Sequence, residues 1–192
     1  IDLYFEYESV IAKEDIDTTT IYTLRKNYDR YYKEAIIADY YAIKKTLLAQ
    51  RSIREEELQF AWPLYDYHKT IKKHHDYYQQ QVKRVEIPFY QLKETTSLYK
   101  EYTRMEVKDY LVNVVGNIIL RSSLPEFTFL HRKHAEAKSR LKIFTAVLEE
   151  KNLNQLKDPL TGDKFELTNQ EGQLIISSNY RNSDGGKIIE YK

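Results

Sequence analysis

Hydrophobic residues recur at intervals of three and four along most of the chain, the spacing that places side chains on one face of an α-helix. The first such stripe follows Asp17, a favourable N-cap residue, and predicts one long amphipathic helix that ends near Gln50. The most regular stripe follows Pro125 and predicts another long helix. Its apolar face comprises Phe127, Leu130, His134, Ala137, Leu141, Phe144 and Leu148.

Two further helices are predicted between these stripes. Ser52 and Glu55 match the capping-box pattern, so a second helix should start there. Pro63 should kink that helix, because proline lacks an N–H and clashes with the preceding turn. The Thr-Thr-Ser stretch at 95–97 offers N-cap residues for a third helix, whose apolar second half is typical of a bundle centre. Gly116 within it suggests close approach to a neighbouring helix.

A β pattern replaces the helical one after Asp158. The Asp-Pro-Leu-Thr-Gly stretch at 158–162 has turn chemistry, and apolar residues then alternate with polar ones on both sides of a second turn at 169–172. This pattern predicts a hairpin, and residues 187–191 are a candidate third strand. The apolar face of the hairpin is expected to comprise Phe165, Leu167, Leu174 and Ile176.

Together these patterns predict a mainly α-helical fold. We expect a four-helix body over residues 1–157, its second helix kinked at Pro63, and a C-terminal antiparallel hairpin or three-stranded unit over residues 158–192. An isolated hairpin is marginally stable in water, so it should pack on the helices and complete one structural domain.

Composition narrows the range of functions. Thirty basic and twenty-nine acidic residues leave a formal charge of +1, which gives no sign of a nucleic-acid partner, and we predict none. The absence of cysteine excludes disulfides, thiolate zinc sites and cysteine nucleophiles. The sequence contains no phosphate-binding loop, dinucleotide fingerprint or nucleophile elbow, so we predict that the chain is not an enzyme.

Histidines are the remaining candidates for metal or hydrolytic chemistry. On helices, His131 and His134 share a face, as do His68 and His75, so either pair could hold a metal together with a neighbouring carboxylate. The simpler interpretation of the lysine-rich segment around His74 is a solvated basic face. A hydrolase with a His/Glu site is therefore the least favoured hypothesis.

Tyrosine is unusually frequent, with eighteen residues, sixteen of them at or before Tyr110. A tyrosine ring supplies apolar area together with a hydroxyl that needs a partner, so these residues are expected to border helix interfaces. The alternative is a tyrosine-rich binding module that stacks against a glycan or another small ligand. Its candidate residues are Tyr77, Tyr78 and Trp62.

Several segments of the C-terminal third carry a resemblance to known proteins. They are HAEAKSRLKIFTAVLEEKN, DPLTGDKFEL, GQLIISS and NSDGG. This order of helix, turn, hairpin and loop resembles the C-terminal part of bacterial envelope proteins of unknown function and, more distantly, that of type II secretion pseudopilins. The resemblance implies an extracytoplasmic protein held by one N-terminal membrane segment, here preceding Ile1.

The resemblance also implies a candidate calcium site. In secreted pseudopilins the comparable loop binds calcium, and here Asp158, Asp163 and Asp184 offer the oxygen ligands that calcium prefers. The alternative is an unliganded turn, because Asn, Asp and Gly are also ordinary turn residues. We therefore expect no cofactor, with calcium as the open alternative.

The leading functional hypothesis is a non-enzymatic envelope protein with a structural or protein-interaction role. It would be anchored by the membrane segment and would bind a protein partner that the sequence does not identify. The tyrosine-rich binding module is the alternative hypothesis.

Overall fold

The computed structural model describes residues 18–57, 65–92, 98–105, 112–149, 151–170, 172–180 and 190–191. Over these residues the chain is mainly helical and ends in a small antiparallel sheet, which confirms the predicted fold class. The helices are α1 (Thr18–Glu57), α2 (Tyr67–Arg84), α3 (Phe89–Leu92), α4 (Leu98–Thr103), α5 (Val114–Ser123) and α6 (Phe127–Leu148). The strands are β1 (Glu166–Gln170), β2 (Gln173–Ser177) and β3 (Glu190–Tyr191).

Contacts group the chain into two compact units. The helical unit is Arg30–Ala135, and the hairpin unit combines Ile1–Asp29 with Glu136–Lys192. Helices α1 and α6 each contribute residues to both units. The hairpin therefore shares its unit with the second half of α6 and the start of α1.

The predicted boundary between the first two helices is wrong. Helix α1 continues through Ser52 to Glu57, because no glycine or proline interrupts it and the Ser-x-x-Glu pattern is also compatible with a helix interior. Among the described residues, the next helix begins at Tyr67, where the side chain of Asp66 accepts from Lys69 N at 2.9 Å and caps the first turn. The predicted kink at Pro63 lies outside the described residues.

The predicted third helix is also not continuous. Helix α4 ends at Thr103, and α5 begins only after Asn113, whose backbone is not helical. The Asn113 side chain instead accepts from Asp66 N at 2.7 Å and donates to Thr70 Oγ1 at 3.1 Å. These bonds fasten the start of α5 to the start of α2. Side-chain hydrogen bonds to a neighbouring helix thus decide where α5 begins.

The core of the helical unit combines aliphatic and aromatic side chains. Tyr32, Tyr40 and Tyr102 are half-buried at its border, in agreement with the expectation that tyrosines line helix interfaces. Leu124, at the turn between α5 and α6, is buried and packs in the same core. The buried members are Ile36, Tyr77, Tyr78, Val85, Leu120, Leu124 and Phe127.

Gly116 lies where α5 approaches α2, as its position in the sequence suggests. Replacing it by alanine is expected to lower the free energy of unfolding by about 2 kcal/mol. The added Cβ would overlap Thr70 Oγ1 and the side-chain amide of Asn113, and both groups are held by hydrogen bonds. The gain in helix propensity is only about 1 kcal/mol. Urea unfolding followed by circular dichroism measures the difference.

A double variant distinguishes overlap from a general effect of the substitution. Thr70→Ala removes one of the overlapping atoms, so Gly116→Ala should cost less in a Thr70→Ala background than in the native chain. Strictly additive losses would contradict the close approach of α2 and α5 at Gly116.

The C-terminal sheet has the order β1-β2-β3, with both pairs antiparallel. Gly172 supports the β1–β2 turn with a positive φ of 83°. The prediction for the apolar face is partly wrong, because Leu174 is exposed whereas Ile175 and Ile176 are both buried. The sheet is therefore covered on both faces at this point of β2. The third strand is confirmed at Glu190–Tyr191, and 187–189 lie outside the described residues.

Candidate functional site

Asp158 is the centre of a buried hydrogen-bond network in the hairpin unit. Its carboxylate accepts from Ser139 Oγ on α6 at 2.6 Å, from Ser178 Oγ just after β2, and from Leu160 N at 2.9 Å. Thr161 Oγ1 lies at 3.5 Å. Asp158, Ser139 and Ser178 are all fully buried. One carboxylate thus joins helix α6, the turn and the end of β2, which is a structural role.

The predicted calcium ligands have three different placements. Asp158 is buried among protein donors, whereas Asp163 is exposed and its backbone carbonyl accepts from Asp158 N at 2.7 Å. Asp184 lies outside the described residues. Gly162 takes the positive φ, 80°, that the turn sequence favours. No group of three or more His, Asp or Glu side chains suited to a metal is found among the described residues. Calcium binding therefore remains the open alternative.

The two tyrosines predicted to bind a ligand are core residues. Tyr77 and Tyr78 are 0% and 3% exposed. The Tyr77 hydroxyl donates to Pro125 O, and the Tyr78 hydroxyl donates to a carboxylate oxygen of Asp39. Burial raises the pKa of both hydroxyls, so both remain protonated donors. Their rings are therefore not a surface for stacking, and Trp62 lies outside the described residues.

His74 is a fully buried imidazole, 0% exposed, with no hydrogen-bond partner at either ring nitrogen among the described residues. Its ring centroid lies 5.1 Å from that of Tyr40 and 4.8 Å from that of Tyr78. Burial, reinforced by the nearby charges of His75 and Lys44, lowers its pKa to about 4. The interpretation of this segment as a solvated basic face is therefore wrong for His74, which is a neutral core residue.

His131 uses both ring nitrogens within the helical unit. Nδ1 lies 3.3 Å from the Tyr32 hydroxyl, and Nε2 lies 3.0 Å from Gln81 Oε1. The ring of His134, the other member of the predicted pair, stacks on Tyr32 with centroids 4.3 Å apart. Burial lowers the pKa of His131 to about 3, and the charges of His134 and Arg84 add to the effect. Both nitrogens of His131 are thus engaged by protein groups.

The second predicted histidine pair is at the surface. His68 and His75 are exposed on α2. His75 Nδ1 lies 3.3 Å from the Tyr40 hydroxyl, which fixes its ring against α1.

Helix α1 carries a second stripe of side chains, on the face turned away from the core. Tyr31, Tyr41 and Leu48 in this stripe are 38%, 61% and 45% exposed. Exposed large apolar side chains repeated along one helix are unusual for a surface that only meets water. We call the stripe the outer seam. Its members are Tyr31, Glu34, Ala38, Tyr41, Lys45 and Leu48, all exposed.

The outer seam is the functional candidate that the sequence analysis missed. Its residues follow one another at intervals of three and four, as in the core stripe, but they are offset around the helix. Ile37 borders the seam and is also exposed. The signal was therefore present in the sequence, but it belonged to the same helix as a stronger stripe.

Comparison of the chain with protein-family models, with curated proteins and with solved structures finds no match. None of the described helices is both long enough and apolar enough to cross a membrane.

Proposed function

We propose that this chain is a non-enzymatic, extracytoplasmic envelope protein with a structural role exercised through protein–protein interaction. The outer seam of α1 carries the proposal. It presents Tyr41 and Leu48 on a 40-residue helix, a regular backbone that keeps the side chains of one face in fixed register. Exposed aromatic residues on such a scaffold are typical of the anchors of protein interfaces.

The proposed compartment rests on the sequence resemblance. The order of helix, Asp-Pro turn and hairpin that carries the resemblance is the order of the elements α6, turn, β1 and β2. We propose that a membrane segment preceding Ile1 anchors the protein, and that the described helices project from it outside the cytoplasm.

Each of the other two hypotheses loses support at some of the residues on which it depends. The small-ligand module needs accessible rings, and Tyr77 and Tyr78 are inside the core. The hydrolase needs a histidine that is free to act as a base, and the two nitrogens of His131 contact Tyr32 and Gln81.

Site-specific photo-crosslinking in living cells tests the interaction role. A photoreactive phenylalanine analogue at Tyr41 should yield a protein adduct of discrete mass, because an interface residue is held against its partner. The same analogue at Gln80, an exposed residue of α2, is the matched control and should yield none. An identical pattern at both positions, or no adduct at Tyr41, would count against an interaction role for the outer seam.

A reporter fused after Lys192 of the complete gene product tests the compartment separately. Alkaline phosphatase should be active there, because it folds only outside the cytoplasm, and green fluorescent protein exported by the general secretory route should be dark. The opposite pattern would refute the extracytoplasmic part of the proposal.

A further inference from the structure

The outer seam has the spacing of a coiled-coil interface. From Tyr31 to Leu48 its six members are separated alternately by three and four residues, as at the a and d positions of a heptad repeat. Tyr31, Ala38 and Lys45 take the a positions, and the other members take the d positions. The seam covers 18 residues, or about 27 Å of helix. The surface is therefore shaped to receive another helix lengthwise.

The outer seam, read from Tyr31 to Leu48, is chemically complementary to the same seam read from Leu48 to Tyr31. Two copies of α1 can be placed antiparallel so that their peptide bonds between Asp39 and Tyr40 lie opposite each other. Each a position of one copy then lies opposite a d position of the other copy. Such layers are the normal pairing of antiparallel coiled coils. The three kinds of layer are Tyr31 opposite Leu48, Glu34 opposite Lys45, and Ala38 opposite Tyr41.

Each kind of layer is chemically matched. Glu34 meets a lysine of opposite charge, and Ala38 leaves room for the large ring of Tyr41. Tyr31 and Leu48 place apolar area against each other at both ends. A two-fold axis repeats every layer, so the dimer contains two of each. Within one chain Glu34 pairs with Arg30, in an exposed contact of 2.8 Å. Its carboxylate can accept from Arg30 and also from Lys45 of the other copy.

We propose that the partner of the outer seam is a second copy of this chain, with the two α1 helices packed antiparallel about a two-fold axis. The inference rests on the proposed interaction role and names the partner. A parallel pair is disfavoured, because it would place Glu34 against Glu34 and Lys45 against Lys45. The short seam is suited to reversible association, with a dissociation constant on the order of 10 µM.

Sedimentation velocity on the full chain tests the association. Between about 1 and about 500 µM, the mass should rise from the 23.0 kDa of one chain towards twice that value. Glu34→Lys should weaken association at least about tenfold, and so should Lys45→Glu, because each substitution places two like-charged pairs in the dimer. Lys100→Glu, the same charge change as Lys45→Glu at an exposed position of α4, should leave the dissociation constant within about twofold.

Mixing the two single variants gives the sharpest result. In a mixed dimer, the lysine introduced by Glu34→Lys in one chain meets the glutamate introduced by Lys45→Glu in the other. The native Lys45 and Glu34 that remain also meet, so both charge pairs are restored. The mixture should therefore associate about as strongly as the native chain, although each variant alone is monomeric at the same concentration. Unchanged circular dichroism of each variant excludes misfolding as the cause. A mixture that stays monomeric would overturn the antiparallel pairing.

The outcomes separate this inference from the proposed function. A native chain that remains monomeric at about 500 µM, while Tyr41 crosslinks a different protein in cells, would overturn the dimer and leave the interaction role standing. A chain that binds phospholipid vesicles through Tyr41 and does not self-associate would assign the seam to a lipid surface and overturn both.

Discussion

Lowering the pH from about 7 to about 5 is expected to reduce the free energy of unfolding of the helical unit by about 4 kcal/mol, through His74 and His131 alone. The pKa of His74 is lowered from 6.5 to about 4 and that of His131 to about 3. Each contributes about 2 kcal/mol over this interval.

The sign follows from which state binds more protons. An imidazole in the unfolded chain titrates near pH 6.5, whereas both core imidazoles stay neutral until the pH is much lower. Their contribution is fully present above pH 6.5 and is lost as the pH falls from there towards 4 for His74 and towards 3 for His131. Acid therefore favours the unfolded state over the whole range from about pH 6.5 to about pH 4.

The surroundings of His74 do not stabilise a protonated, positively charged imidazole ring. Tyr40 of α1 and Tyr78 of its own helix pack on the ring. The charged groups that face it are His75 and Lys44, both of which repel an added positive charge. The charges that face His131, those of His134 and Arg84, likewise repel an added positive charge.

Urea unfolding at both pH values measures the loss. His74→Phe keeps an aromatic ring in the stack and should halve the loss between about pH 7 and about pH 5. It should also stabilise the chain at neutral pH, because it removes two buried ring nitrogens that have no partner among the described residues. His131→Gln, which retains polar groups towards Tyr32 and Gln81, should remove most of the other half.

His68, an exposed histidine of the same helix, is the matched control. His68→Gln removes an exposed imidazole and leaves both core imidazoles in place, so it should reduce the loss less than His74→Phe does. If His68→Gln and His74→Phe reduced the loss equally, the core imidazoles would not be its source.

Hydrophobic periodicity correctly predicted the elements whose hydrophobic pattern is least interrupted. Helix α6 has one clear stripe and begins and ends where the stripe does, at Phe127 and Leu148. The hairpin was predictable because Asp158, Gly162 and Gly172 have turn roles that few other residues can take. In both cases the local sequence and the final structure favour the same conformation.

The errors arise where distant contacts decide between locally equivalent states. A Ser-x-x-Glu pattern fits both a helix start and a helix interior, so Ser52 could not indicate that α1 continues. The start of α5 depends on bonds from Asn113 to Asp66 and Thr70, more than 40 residues away. No local signal encodes such a contact.

The candidate site is subject to the same limit. The sequence places Tyr77 and Tyr78 within a predicted helix, but only packing shows that both side chains lie in the interior. The three- and four-residue spacing of the outer seam is visible in the sequence. The seam includes Glu34 and Lys45, however, and so resembles an ordinary polar surface. Its meaning depends on knowing that another stripe of α1 already supplies the core.

Replacing Asp158 by alanine is expected to lower the free energy of unfolding of the hairpin unit by about 4 kcal/mol. The substitution leaves the buried hydroxyls of Ser139 and Ser178 and the amide of Leu160 without their acceptor. A buried donor left without its acceptor costs about 1 to 3 kcal/mol, and the small cavity adds to the loss. Asp158→Asn keeps one acceptor oxygen and should lose about half as much.

Urea unfolding followed by circular dichroism measures the loss, and hydrogen exchange localises it. The amide of Gly162, which donates to Asp158 O at 2.8 Å, should lose protection in the alanine variant. Asp163→Ala is the matched control and should cost less than about 0.5 kcal/mol, because that side chain is exposed. Equal losses in the two variants would mean that the buried carboxylate does not organise the turn.

The same two variants separate a structural carboxylate from a calcium ligand. If Asp158 acts through Ser139, Ser178 and Leu160, its loss costs the same with a chelator as with millimolar calcium. If the loop instead holds calcium, the cation raises the unfolding midpoint of the native chain by mass action, and Asp163→Ala loses that gain. Because three protein donors already occupy the carboxylate of Asp158, we expect the chelator to leave the midpoint of the native chain unchanged.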